Sequence, residues 1–333
     1  MAETGLVRSL PGQDDVQAAA VRLRGQVRHT PLFSSAQLDD MAGARLLCKA
    51  ECLQETGSFK IRGAMNRLLQ LDAAERARGV VAFSSGNHAQ GVARAARKLG
   101  LKATIVMPDT APEVKKAGVL RDGAELVPYD PQTQSREALA EALARERQAV
   151  LVPSFDDPHI VAGQGTCGLE IRTHLEARGE VLDDLICCTG GGGLISGISL
   201  AFEGTGTRIW TAEPDGHDDW ARSLAAGRQL RNPPGTRSIC DAILTPAPGD
   251  IPWGVSQSRL AGGLVVSDSQ VLFAMQIAFR ALKLVLEPGG AVALAAALFA
   301  LPEAARGGRV GVVLSGGNVD PDVFAPALRV SCP

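Results

Sequence analysis

The chain has 333 residues, of which 45% are hydrophobic and 21% charged, enough apolar material for a large core and about two soluble domains. A formal net charge of -2, with no block of lysine and arginine, argues against nucleic acid or an anionic membrane as a partner. The opening MAETGLVRSLPGQDD lacks a basic segment followed by an apolar core, and the longest apolar run, Ala291 to Leu301, is too short to cross a bilayer, so a cytoplasmic location is expected.

In chain order, the first unusual stretch is QETGSFKIRGA, Gln54 to Ala64, where Lys60 stands between Phe59 and Ile61 directly after a Gly-Ser turn. Burying an ammonium is costly, so Lys60 is either at the surface or held close to neutrality for a purpose. Beyond it, VVAF (80–83), ATIVM (103–107), AELVPY (124–129) and AVLVP (149–153) read as buried parallel strands, each followed by a helical or turn segment. A second series, DLICCTG, RIWTAEP and RVGVVLSGG, is likewise separated by helices, among them one from about Asp268 to Leu286 capped by Ser267. The implied fold class is α/β, with two open, twisted, mostly parallel sheets flanked by helices. The Pro- and Gly-rich segment from about 231 to 263 is too long for an ordinary connection and reads as an active-site cover. The cysteines, seven in all, have no metal-ligand spacing and read as reduced core thiols, with Cys187 and Cys188 pointing to opposite faces of a strand.

Ligands of open α/β sheets bind beyond the carboxyl ends of the strands, so the strand tails matter most. VVAF runs into Ser84, Ser85, Gly86 and Asn87 at a helix start, which presents free N–H groups to a carboxylate or is simply a Ser/Asn cap. DLICCT runs into GGGGLISG, Gly190 to Gly197, where glycines let the backbone approach a phosphate or merely make a flexible turn. No Lys-Ser/Thr follows them, which excludes a nucleotide-triphosphate loop. Glu213 lies where a ribose-binding acid of a dinucleotide site would, but Ile195 and Ser196 stand at the third-glycine positions, which leaves a nicotinamide-dependent oxidoreductase as a weak competitor. One phosphate, a poised lysine and a carboxylate pocket together point to pyridoxal 5'-phosphate, whose aldehyde forms an imine with a lysine and whose ring stores electrons from the substrate Cα. The tail VVLSGGN places Ser315 where its hydroxyl can face the pyridine nitrogen or cap the turn before Gly316.

The ordered set TGSFKIRGA, SSGNHAQGVA, VAGQGTCGLE, GGGGLISG, EPDGHDDW, LEPGGAVALAA and LSGGNVD, spread from about Arg28 to Asp320, resembles the serine/threonine dehydratase and serine racemase family of fold type II pyridoxal-phosphate enzymes. The resemblance implies the tryptophan synthase β-like architecture. Residues 1–72 and 151–333 would form the large cofactor-binding domain, and 73–150 a small domain that binds the substrate carboxylate. It implies that Lys60 carries the cofactor, that Phe59 packs against the ring, and that Asn87 meets its phenolic oxygen. Gly190, Gly191, Gly192, Gly193 and Leu194 would cradle the phosphate, and Ser315 would meet the pyridine nitrogen. Ser84, Asn87 and His88 would hold the substrate carboxylate, with Ser85 on the cofactor face opposite Lys60. Lys60 would then be the base at Cα. Loss of the β-hydroxyl gives a 2-oxo acid and ammonia, whereas reprotonation by Ser85 gives racemisation.

Within the same resemblance, Glu213 and Asp219 supply carboxylates, and His217 a backbone carbonyl, to a divalent cation; oxygen ligands favour Mg²⁺ or Ca²⁺. The alternative is a strand-end acid before a helix start rich in acids. The family is usually homodimeric. SICDAIL carries Ala242 where many relatives have glycine, which would reshape the cover, and with so little sequence after SGGNVD the regulatory domain of biosynthetic threonine dehydratases is not expected. L-serine and L-threonine are the leading expected substrates, with serine racemase or 3-hydroxyaspartate dehydratase as alternatives and a catalytically silent phosphate-binding protein as the non-enzyme reading. The last alternative turns on Arg136 in QTQSREALAEALARERQ, which is either a solvated surface charge or a fork for a second substrate carboxylate.

Overall fold

The computed structural model describes residues 10–111 and 113–333. Ten strands run in chain order: β1 (Leu32–Phe33), β2 (Arg45–Ala50), β3 (Val80–Phe83), β4 (Ala103–Pro108), β5 (Glu125–Tyr129), β6 (Val150–Leu151), β7 (Asp184–Cys188), β8 (Arg208–Pro214), β9 (Gly262–Val266) and β10 (Arg309–Leu314). They form a six-stranded sheet in the order β1-β2-β10-β7-β8-β9 and a four-stranded sheet in the order β5-β4-β3-β6. Every pairing is parallel except β1 with β2. The inner strands β7 and β10 are buried along nearly their whole length, as expected of parallel strands covered by helices on both faces.

Seven strands were legible as apolar runs, and three were not. In β2 the charged Arg45 and Lys49 interrupt the run, β1 is only two residues long, and β9 begins with two glycines. The segment 231–263 is correspondingly less irregular than expected, since it holds a short helix, Asp250–Ser256, and enters β9. The helix capped by Ser267 is also shorter than expected. Ser267 Oγ does accept from the Gln270 N–H, but the α-helix stops at Ile277, continues as a π-helical turn to Leu282, and ends at Lys283 with φ of 60°. Pro288 holds Glu287 extended, so the chain cannot run helically into the next helix, Pro288–Phe299. β6 hydrogen-bonds to β3, so the smaller sheet reaches across the expected boundary at 150. Of the seven cysteines, Cys332 is exposed and Cys52 half-buried, against the core placement expected for all; none is in a disulfide. No helix among the described residues is long and apolar enough to cross a membrane.

One helix joins the two sheets. Lys60–Leu69 buries Ile61, Ala64, Met65 and Leu68 in the same apolar cluster as Val80 and Ala82 of β3 and Val92 of the Asn87–Leu99 helix. On its other side it crosses helix Pro158–Glu176 so closely that a Cβ on Gly163 would lie 2.7 Å from the Arg62 carbonyl oxygen. Its first turn is held by charge. The Arg62 guanidinium is fully buried and forked, with Nε 2.7 Å and Nη2 2.8 Å from the two Glu51 oxygens, and Nη1 2.7 Å and Nη2 2.9 Å from those of Glu170. Lys49 of β2 donates to Glu170 and to the Thr30 carbonyl, so two cations face two anions. Burial pushes the Glu51 carboxyl up, but Arg62, Lys49 and Thr30 together outweigh it and hold the group below its usual range. Arg62→Met should therefore cost about 3–5 kcal/mol, because it strands two carboxylates inside the protein. Denaturant melts of the two proteins check this, and a loss below about 1 kcal/mol would contradict the buried network.

Candidate active site

Lys60 is the first residue of the joining helix, and the loop before it is stitched to the end of β10. Ser58 and Gly316 form an antiparallel bridge, the Phe59 N–H donates to the Ser315 carbonyl at 3.1 Å, and the Gly317 N–H donates to the Gly57 carbonyl at 2.9 Å. The Lys60 ammonium thus faces a cavity of about 510 Å³ at the carboxyl ends of β3, β7 and β10. Its Nζ donates to the Ser154 carbonyl at 3.0 Å and lies 5.1 Å from the centre of the Phe59 ring. Burial without a carboxylate in contact pulls its pKa down to about 8, although Cys188 and Glu287 act in the opposite direction.

The glycine loop forms another part of the cavity wall. A Cβ on Gly191 would lie 2.4 Å from the Phe155 ring, and one on Gly192, where φ is 95°, would lie 2.1 Å from Trp220. Only glycine fits, and what the loop offers is backbone. Gly193–Ala201 is a helix, so the N–H groups of its first turn, Leu194 included, have no intrahelical acceptor and suit an anion. Ser315 is buried at the end of β10, and its Oγ accepts from Cys188 Sγ at 3.0 Å, which leaves its own hydrogen to donate elsewhere.

At the end of β3, Ser84, Ser85 and Gly86 lead into helix Asn87–Leu99, and all line the cavity. Ser84 Oγ accepts from the Gly86 N–H at 3.1 Å. Asn87 donates from Nδ2 to Glu287 Oε1 at 2.6 Å and accepts at Oδ1 from Asn318 at 2.7 Å. The His88 ring turns inward instead, with Nε2 2.9 Å from the Val152 carbonyl, and burial pulls its pKa down to about 3. A neutral, inward imidazole has no charge to offer a carboxylate, so what His88 can contribute is its backbone N–H.

Arg136 also reaches the cavity. It opens helix Arg136–Arg147 behind the Ser135 cap, its guanidinium lies 5.7 Å from the Phe83 ring centre, and its Nε donates to the neighbouring Glu137 at 2.8 Å. Both side chains are about half exposed, 45% and 52%.

Glu213, His217 and Asp219 lie apart from these residues, around the end of β8. Glu213 is fully buried and accepts from the Trp220 and Ala221 N–H groups at 2.9 and 2.8 Å. Burial and the neighbouring Asp219 raise its pKa well above the carboxylate range, and burial lifts Asp219 to about 6. Asp219 Oδ2 has no hydrogen-bond partner. Among the described residues no group of three His, Cys, Asp or Glu side chains is placed to hold a metal, so a cation here would need backbone oxygens as well.

Sequence reasoning missed Phe155, Cys188, Ser154 and Glu287 in the cavity wall. Glu287 carried a usable signal, because in LEPGGAVALAA a single acid interrupts an apolar run as Lys60 does in its own motif.

The donor set fits a group that has an aldehyde, a ring nitrogen and a phosphate. A family model described as "Pyridoxal-phosphate dependent enzyme" matches residues 23–316. The chain is 42% identical over 323 residues to an L-threo-3-hydroxyaspartate ammonia-lyase of a Pseudomonas species, covering 96% of this chain and 99% of that protein. Among solved structures it is similar to maize serine racemase, with TM-score 0.90, 37% identity and coverage of 96% and 97%. It also resembles a serine racemase from Dictyostelium discoideum, with TM-score 0.86, 32% identity and coverage of 94% and 100%.

Lys60 gives the cavity a measurable pH signature. Its folded pKa of about 8 lies below the ordinary 10.5, so between those values the unfolded chain binds more protons and the stability of the cofactor-free protein rises with pH. Lys60→Met should stabilise that form below pH 8, and the difference should shrink as pH approaches 10.5. Denaturant melts at about pH 7 and about pH 10 check this; a difference independent of pH would contradict the buried, shifted lysine.

Proposed function

Because the chain belongs to the family of pyridoxal-phosphate dependent enzymes, we propose that it is an ammonia-lyase that dehydrates a small β-hydroxy amino acid with a second carboxylate, 3-hydroxyaspartate. The observation that carries the choice of substrate is Arg136, a guanidinium at the cavity edge whose carboxylate partner among the described residues is its own half-exposed neighbour Glu137. A planar fork suits a carboxylate through two parallel hydrogen bonds. L-serine and L-threonine fit the same chemistry but leave Arg136 without a task.

In this reading residues 73–150, together with the end of β6 at Leu151, form the smaller domain, which carries the carboxylate-binding turn, and the remainder forms the larger one. The N–H groups of Gly190 to Gly193 and Leu194 hold the cofactor phosphate, Ser315 donates to the ring nitrogen, Asn87 donates to the phenolic oxygen, and Phe59 packs beside the ring. Bound pyridoxal phosphate supplies an aldehyde that Lys60 can engage and a ring that takes up the electron pair released at the substrate Cα. Ser84 and the N–H groups of Asn87 and His88 orient the substrate α-carboxylate at the helix start. Lys60, whose charged form burial disfavours, takes the Cα proton. Departure of the β-hydroxyl as water, followed by hydrolysis, gives a 2-oxo acid and ammonia. Ser85 returns a proton to the face opposite Lys60 when racemisation competes.

Arg136→Ala should weaken 3-hydroxyaspartate turnover and malonate inhibition by about 1–3 kcal/mol, as for a partly exposed charge pair losing one partner, while threonine turnover changes much less. Steady-state assays of 2-oxo acid formation read this out. Lack of turnover of 3-hydroxyaspartate, with malonate inhibition intact in the variant, would return the assignment to serine and threonine.

The same reading gives Glu213, Asp219 and the His217 carbonyl a Mg²⁺ or Ca²⁺ ion. Two neighbouring acids with raised pKa values, one with a bare oxygen, are a poor arrangement until a dication neutralises them. Chelator should lower the melting temperature and either ion should restore it by mass action. An unchanged melting temperature would remove the site.

A further inference from the structure

Two motifs, LEPGGAVALAA and LSGGNVD, meet at one point of the cavity wall that the proposed reaction does not use. Glu287, buried at 3% exposure, sits at the start of helix Pro288–Phe299 and lines the cavity. Its N–H donates to the Gly316 carbonyl at 3.1 Å, and its Oε1 lies where a Cβ on Gly316 would be 1.9 Å away. Only a glycine at 316 leaves room for this carboxyl. Its side-chain partner is Asn87, which donates from Nδ2 to Oε1 at 2.6 Å. On the other side of the same amide, Asn318 donates from Nδ2 to Asn87 Oδ1 at 2.7 Å and to the Thr56 carbonyl at 2.8 Å.

These bonds decide which way the Asn87 amide points. Asn318 Nδ2 is a donor only, so the Asn87 atom facing it must be oxygen, and the atom facing Glu287 must then be nitrogen. One Nδ2 hydrogen is taken by Glu287. The second has no protein acceptor among the described residues. We propose that Glu287 and Asn318 are positioning residues, a buried clamp that locks the Asn87 amide with one N–H directed at the phenolic oxygen of bound pyridoxal phosphate. The clamp rests on the cofactor reading of this cavity. Burial lifts the Glu287 pKa to about 8, so near neutral pH the clamp ends in an uncharged carboxyl rather than a carboxylate that would oppose a negatively charged ring oxygen.

An uncharged carboxyl can be imitated by an amide, which makes the clamp testable. Purified wild type, Glu287→Gln, Glu287→Leu and Asn318→Asp are stripped of cofactor and titrated with pyridoxal phosphate, following the cofactor absorption band, its apparent pKa and the dissociation constant. Glu287→Gln keeps an acceptor for Asn87 and should bind within about twofold of wild type with an unshifted band. Glu287→Leu removes that acceptor, and should weaken binding about tenfold and move the band pKa by about one unit. Asn318→Asp replaces the donor by an acceptor at equal size and should do the same from the other end, which keeps the test open if the leucine variant does not fold. An unshifted band in both Leu and Asp variants, or an equal shift in Gln and Leu, overturns the clamp. A wild-type protein with no cofactor band at all overturns the cofactor reading itself, and the clamp with it.

Discussion

The structure depends first on the Arg62 guanidinium, which is buried between Glu51 and Glu170 two residues beyond Lys60. A bidentate pair on each side fixes the position of the guanidinium and, through the backbone, the first turn of the helix. Glu51 follows β2, Lys49 lies within it, and Glu170 lies on the Pro158–Glu176 helix, so the turn is tied to the larger sheet while its apolar face packs into the core of the smaller one. Lys60 therefore stands at the junction of the two sheets with little freedom to relax. A network of balanced buried charge is a costly way to gain stability but an effective way to specify a single arrangement, and a residue that must meet a reacting carbon needs the second more than the first.

From that fixed point the cavity is built by parallel topology. β3, β7 and β10 end on one side, and each delivers a different kind of group: a polar helix start, a glycine loop and a serine. The innermost ionisable groups are buried deeply enough to disfavour their charged forms. Lys60 is drawn toward neutrality, His88 is held neutral, and Glu287 is pushed toward its protonated form, all chiefly by burial. Such a cavity can take an anionic ligand through backbone N–H groups, and the Arg136 guanidinium lies at its edge. A substrate with two carboxylates would then be held at one end by a helix start and at the other by a guanidinium, with the bond to be broken between them.

Much of this was legible in the sequence, for identifiable reasons. Buried parallel strands are rich in apolar and β-branched residues, so β3, β4, β7, β8 and β10 announce themselves, and the tails of β3, β7 and β10 point to Asn87, Gly190 and Ser315. Lys60 stood out because a charge inside an apolar motif demands an explanation. What stayed hidden depends on contacts between distant residues. Nothing local reveals that Glu287 meets Asn87, 200 positions away, or that Asn318 closes the chain from the other side, 231 positions away. The inward turn of His88 was invisible for the same reason, since its partner is the backbone carbonyl of Val152. β2 escaped because Lys49 made it look exposed, when the charge is buried against Glu170.

Which lysine meets the cofactor is the decisive question. The holoprotein is reduced with borohydride, digested, and its peptides mapped by mass spectrometry to find where the cofactor has become irreversibly attached. A lysine held at the sheet junction and drawn toward neutrality predicts the added mass on Lys60 and on no other lysine. Attachment at Lys115, which also lines the cavity, or at the buried Lys49, or no attachment at all, would contradict it.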